Sequence, residues 1–102
     1  MRKAREIRAA HFEVVQKAKE LGVKIAGGTD FSGPPLIPHG DNALEFEMFV
    51  KVGFTPLEAI MAGTKGSAQA MYMENEIGTL EKGKFADLIF VAGDPLTDIT
   101  CL

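Results

Sequence analysis

The chain has 102 residues, 46% of them hydrophobic and 25% charged, with a formal net charge of −3. That length bounds it to at most one domain with a limited core. The acidic balance and the lack of a basic stripe exclude a nucleic-acid footprint, and no apolar run approaches the ~20 residues that span a bilayer.

Residues 2 to 21 read as a helix. Ile7, His11, Val14, Ala18 and Leu21 recur at three- and four-residue steps and predict one apolar stripe. His11 is expected there as a half-buried structural residue. Arg2, Lys3, Arg5 and Arg8 read as a solvated face. Lys17 and Lys19 suit the negative end of the helix, and Gly22 follows as its stop. Those leading charges have no apolar stretch behind them, so no secretory leader pattern is legible.

The next segment, Val23 to Ala26, is short and β-leaning and runs into Gly27-Gly28-Thr29-Asp30. A helix, a glycine and a short apolar strand make one step of an α/β protein. Asp30 then stands at the end of a strand, where parallel barrels carry catalytic groups. The plainer reading of Asp30 is a loop residue that caps its own turn. From Phe31 to Gly40, three prolines and two glycines forbid regular structure. This loop carries His39, either a functional imidazole or one bonded to a backbone carbonyl.

Three short helices are expected next. Asn42 with Glu45 makes a capping pair for the first, or Asp41 caps it instead. Its apolar face is Leu44, Met48, Phe49 and Val52, and Gly53 ends it. Thr55-Pro56-Leu57-Glu58 starts the second, with Thr55 as cap, Pro56 in the first turn and Glu58 completing a capping box. It runs to about Ala62, and Thr64 caps a third helix through Tyr72. Gly63 and Gly66 permit close packing. Met48, Met61, Met71 and Met73 read as core or former core. The last third, Ile77 to Leu80 and Ala86 to Val91, reads as two strands separated by turns, with Asp87 at a strand start and Asp94-Pro95 in a turn. The lone Cys101 has no intrachain partner, so a reducing, cytoplasmic setting is expected.

Three blocks, in order, resemble the C-terminal part of the metal-dependent amidohydrolase superfamily. They are Gly27-Gly28-Thr29-Asp30 with Pro38-His39-Gly40; Gly53-Phe54-Thr55-Pro56-Leu57-Glu58-Ala59-Ile60 into Gly63-Thr64; and Ile77-Gly78-Thr79-Leu80-Glu81-Lys82-Gly83-Lys84 through Asp87-Leu88-Ile89 to Gly93-Asp94-Pro95. The Pro-rich loop looks most like the imidazolonepropionase-related and Xaa-Pro-dipeptidase-like branch. The resemblance implies an α/β fold: the last units of a (β/α)8 TIM-like barrel over residues 1–75, and strands of a composite β-sandwich over 76–102. It implies a hydrolase of C–N bonds, acting on a cyclic amide or dipeptide through a metal-activated water, usually with zinc. Asp30 matches the aspartate that ligates metal and shuttles a proton. His39 matches a histidine near the substrate.

The family's other ligands are not in this chain, whose only histidines are His11 and His39. A catalytic zinc takes about three protein ligands, and a complete barrel needs about 250 residues. The chain therefore reads as one part of such an enzyme. A second expectation is an inactive, self-associating structural unit, because helix faces made for a barrel would find partners in identical chains.

Overall fold

A computed structural model describes residues 2–30 and 40–102, with side chains in the first helix from residue 9 onward. Helix α1 (Arg2–Glu20) forms where the periodicity predicts it. It stops at Gly22, φ +71°. The Gly22 amide donates to Lys19 O (2.9 Å) and the Val23 amide to Ala18 O (3.0 Å), the paired bonds of a glycine-terminated helix end.

The helix does not pack through the expected stripe. Val14 and Leu21 are 66% and 69% exposed, and His11 is exposed rather than half-buried. Phe12 and Val15, on an adjoining face, pack against the core instead. The reason is area, since a phenyl ring buries more apolar surface than any residue of the predicted stripe.

Residues 23–26, expected as a strand, form no ladder among the described residues. A strand needs a neighbouring backbone, and here the amides of Val23 and of Gly27 just beyond the segment bond Ala18 O and Ala62 O of helical elements instead. After a 3-10 turn, Asp41–Ala43, helix α2 (Leu44–Val52) buries Phe49 and Val52. No side chain caps its start, so neither expected capping arrangement forms. It ends at Gly53, φ +107°, with the Phe54 amide bonded to Phe49 O at 3.0 Å.

Helix α3 (Pro56–Met61) starts with the predicted capping box. Thr55 Oγ1 accepts from the Glu58 amide at 3.2 Å, and Glu58 Oε2 accepts from the Thr55 amide at 2.7 Å. The helix does not stop near Ala62. It widens into a π turn, Ala62–Gly66, and continues as helix α4 (Ser67–Ala70). Thr64 is therefore inside a continuous helical run, its hydroxyl donating to Ile60 O at 2.7 Å, and caps nothing.

The core is Phe49, Val52, Phe54, Ala59 and Ala62, with Phe12, Val15, Ile25, Phe46 and Val50 packed around it. Lys19 closes one side. Its ammonium donates to Gly53 O (2.6 Å) and to Glu58 Oε2 (2.8 Å), and it lies over the Phe54 ring at 4.9 Å.

Residues 77–80 and 86–91, expected as strands, are not hydrogen-bonded as strands among the described residues. The turn between them is held by the Phe85 amide on Glu76 O at 2.8 Å. Leu80, Ile89 and Phe90 are 73%, 76% and 94% exposed. The turn at Asp94 forms as expected, its carboxylate accepting from the Leu96 amide (3.0 Å) and the Thr97 hydroxyl (2.9 Å). A final 3-10 turn, Ile99–Cys101, buries Ile99 and lies against α2. The radius of gyration is 14.8 Å, against about 13 Å for a compact domain of this length, so much apolar surface stays open.

Candidate functional site

Asp30 is exposed and holds φ +45°, a left-handed backbone that costs a residue with a side chain about 1–2 kcal/mol. The chain just before it is fixed from three elements, α2, the π turn and α4. The Gly27 amide donates to Ala62 O at 3.0 Å. Gly27 O accepts from the Ser67 hydroxyl at 2.9 Å, and that hydroxyl also lies 3.1 Å from Ala62 O. The Gly28 amide donates to Glu45 Oε1 at 2.9 Å.

Small residues make this approach possible. A methyl group added at Gly66 would come within 2.8 Å of Ile25 O, and one at Gly63 within 2.5 Å of the Phe46 ring. The expected close packing at both glycines is what forms. A widened turn also suits the role of Ala62, because its carbonyl accepts from the Gly27 amide as well as from Ser67. Such turns recur at functional sites in helices.

A cavity of about 460 Å³ opens beside this segment. Gly28 and Thr29 line it from one side, Glu45 and Phe46 from α2, Thr64 from the π turn and Ile89 from the C-terminal third. Its walls are chiefly apolar, with a few polar groups, the usual make-up of a small-molecule site.

Of the two predicted site residues, Asp30 is among the described residues. His39 lies outside the described residues, and so does most of its loop. Among the described residues no three His, Cys, Asp or Glu side chains are grouped to hold a metal ion. The exposed Asp30 carboxylate is a hard oxygen donor, so it fits a divalent metal as one ligand. It does not make a centre by itself. Glu45 and Ser67, which sequence reasoning did not assign to the site, are the side chains that tie down the Asp30 segment. Glu45 carried only a capping signal, and Ser67 none.

The sequence profile described as the Amidohydrolase family matches residues 1–102, the whole chain. This chain belongs to the amidohydrolase family. An ochratoxinase of Aspergillus niger is 38% identical over 92 residues, which is 88% of this chain and 18% of that protein. The imidazolonepropionase of Sphingopyxis alaskensis is 35% identical over 91 residues, 87% of this chain and 22% of its own length. That of Pyrobaculum arsenaticum is 35% identical over 75 residues, 74% and 18%.

A crystal structure of a Xaa-Pro dipeptidase with methionine bound in its active site superposes with a TM-score of 0.79 and 40% identity. The match covers 88% of this chain and 21% of the dipeptidase. That neighbour has the amidohydrolase fold, of TIM-barrel type. This amidohydrolase chain thus spans about a fifth of the relatives it matches. Amidohydrolases of this kind are hydrolases and are usually metal-dependent. No helix among the described residues is long and apolar enough to cross a membrane.

Proposed function

We propose that this chain serves a metal-dependent hydrolase that cleaves C–N bonds in a cyclic amide or a dipeptide. Asp30 is its metal ligand and proton shuttle. The observation that carries this reading is the Asp30 carboxylate itself, exposed in a left-handed backbone after Gly27 and Gly28 are hydrogen-bonded to α2, the π turn and α4. The substrate class follows from relatives named imidazolonepropionase and from a dipeptidase neighbour.

A divalent metal, zinc by the family's habit, supplies when bound a water acidified towards neutrality. The chain's own part is to present Asp30 Oδ as the acceptor of that proton and to pass it to the leaving nitrogen. His39 is proposed near the substrate on the resemblance alone. Residues 1–75 would serve the barrel, and residues 76–102 would take up their ladder in a composite β-sandwich.

The deciding experiment is elemental analysis of zinc on protein purified without chelator or histidine tag. About one zinc per chain, lost in Asp30→Ala, supports the reading. Hydrolysis by the chain that survives Asp30→Asn would sink it.

A specific observation favours a second reading, self-association without catalysis. Phe85, Leu88, Ile89 and Phe90, close together in the chain, are each at least half exposed, and a run of this kind is prone to pair with a copy of itself. A strictly monomeric mass in dilute solution counts against it.

A further inference from the structure

We infer that Glu45 is a positioning residue for Asp30. This rests on the reading of Asp30 given above and extends it to a side chain that touches neither metal nor substrate. Glu45 stands in the first turn of α2, where the helix dipole favours a carboxylate. It does not use that position to cap its own helix, whose start has no side-chain cap bond. Instead Oε1 accepts from the Gly28 amide, 17 residues back and two before Asp30.

That single bond joins the two ends of the segment that carries Asp30 and the Pro-rich loop. A carboxylate acceptor makes it stronger than a neutral one would. Ala62 and Ser67 hold Gly27 from the other side. Gly28 is then fixed by α2 and Gly27 by the π turn and α4, and the direction in which the chain leaves towards Thr29 and Asp30 is set. Space is not the reason for Gly28, since a methyl group there would meet nothing within 4 Å. Its amide is what the fold uses. Remove the acceptor and the Gly27 bonds remain, but Asp30 keeps no tie to α2 through Gly28, and its left-handed backbone relaxes towards the extended region that a side chain prefers.

The test is solution NMR on the 15N-labelled full chain, reading Gly28 amide exchange and the HN–Hα coupling of Asp30. Glu45→Ala is expected to speed Gly28 exchange about fivefold or more and to shift the Asp30 coupling towards its extended value. Glu45→Gln, which keeps an oxygen at the same reach, is expected to preserve both. Should Glu45→Ala not fold, Glu45→Asp carries the test: it keeps the charge in the first turn but is one methylene short, so it should behave as Ala is expected to.

Unchanged exchange and coupling in Glu45→Ala, or equal changes in Glu45→Ala and Glu45→Gln, would overturn the inference. A loss of melting temperature with the coupling unmoved would mean a structural role only, and also overturns it. Asp30→Asn leaves Glu45 in place and separates the two readings. Zinc retained or hydrolysis surviving in that variant removes the catalytic reading, while the Glu45 result stands on its own measurement.

Discussion

Phe54 lies against Phe49 with ring centroids 5.1 Å apart and planes tilted by 55°. The same two residues share a backbone bond, Phe54 amide to Phe49 O, at 3.0 Å. The pair therefore joins the end of α2 to the start of the α3 run twice, once through the backbone and once through the rings. Both are buried in a core with few other large members. Phe49→Ala should cost about 3 kcal/mol. A thermal melt followed by circular dichroism should fall by about 15 °C for a chain of this size.

Tyr72 should be a weak point of the opposite kind. It follows α4 at φ +59° with its side chain 91% exposed. The Tyr72 and Met73 amides bond Gln69 O and Ala68 O at 3.1 and 2.9 Å. This is the helix end made at Gly22, with a tyrosine where a glycine suits. Tyr72→Gly should stabilise the chain by about 1 kcal/mol, relief of left-handed strain partly offset by added backbone freedom. The urea midpoint should rise.

Glu58 gives the fold an acid-sensitive joint. The Lys19 ammonium foremost, then the Thr55 amide and hydroxyl, hold its carboxyl at about 2, below the ordinary 4.5. A depressed folded value means stabilisation that is complete above the unfolded pKa and is lost as pH falls towards the folded one. The urea midpoint of the parent chain should exceed that of Glu58→Gln at pH 6. The difference should shrink between about 4.5 and 2 and vanish below. Added salt should reduce it, because the pair is exposed.

Gly66→Ala tests the contact between residues 23–26 and the helical run. The new methyl group would meet Ile25 O at 2.8 Å and Met61 O at 3.3 Å. Both are backbone atoms that cannot rotate aside. A loss of about 2 kcal/mol is expected, measured by chemical denaturation.

Elements whose signal is local were legible in the sequence. The period of α1, the glycine after Leu21 and the Thr55-Pro56-Leu57-Glu58 start all act within a turn or two, and all three form. The packed face of α1 was not legible, because Phe12 and His11 can be ranked only once a partner surface exists. The strands expected at 77–80 and 86–91 form no ladder among the described residues for a related reason: alternation tells which residues prefer a sheet and cannot supply the neighbouring backbone. At the candidate site Asp30 stood out by its place after two glycines. The roles of Glu45 and Ser67 depend on contacts across 17 and 40 residues, which no spacing rule encodes.

The π turn at Ala62–Gly66 amounts to one residue more than a regular helix needs over the same rise. It is a phase shift, and everything after it points about 100° away from where an unbroken helix would aim it. Deleting one residue between Ala62 and Gly66 would give a more regular helix and a worse molecule. Ser67 would swing off Gly27, Ala68 off its burial, and the segment ending in Asp30 would lose its footing to a change that any helix-propensity scale would score as an improvement.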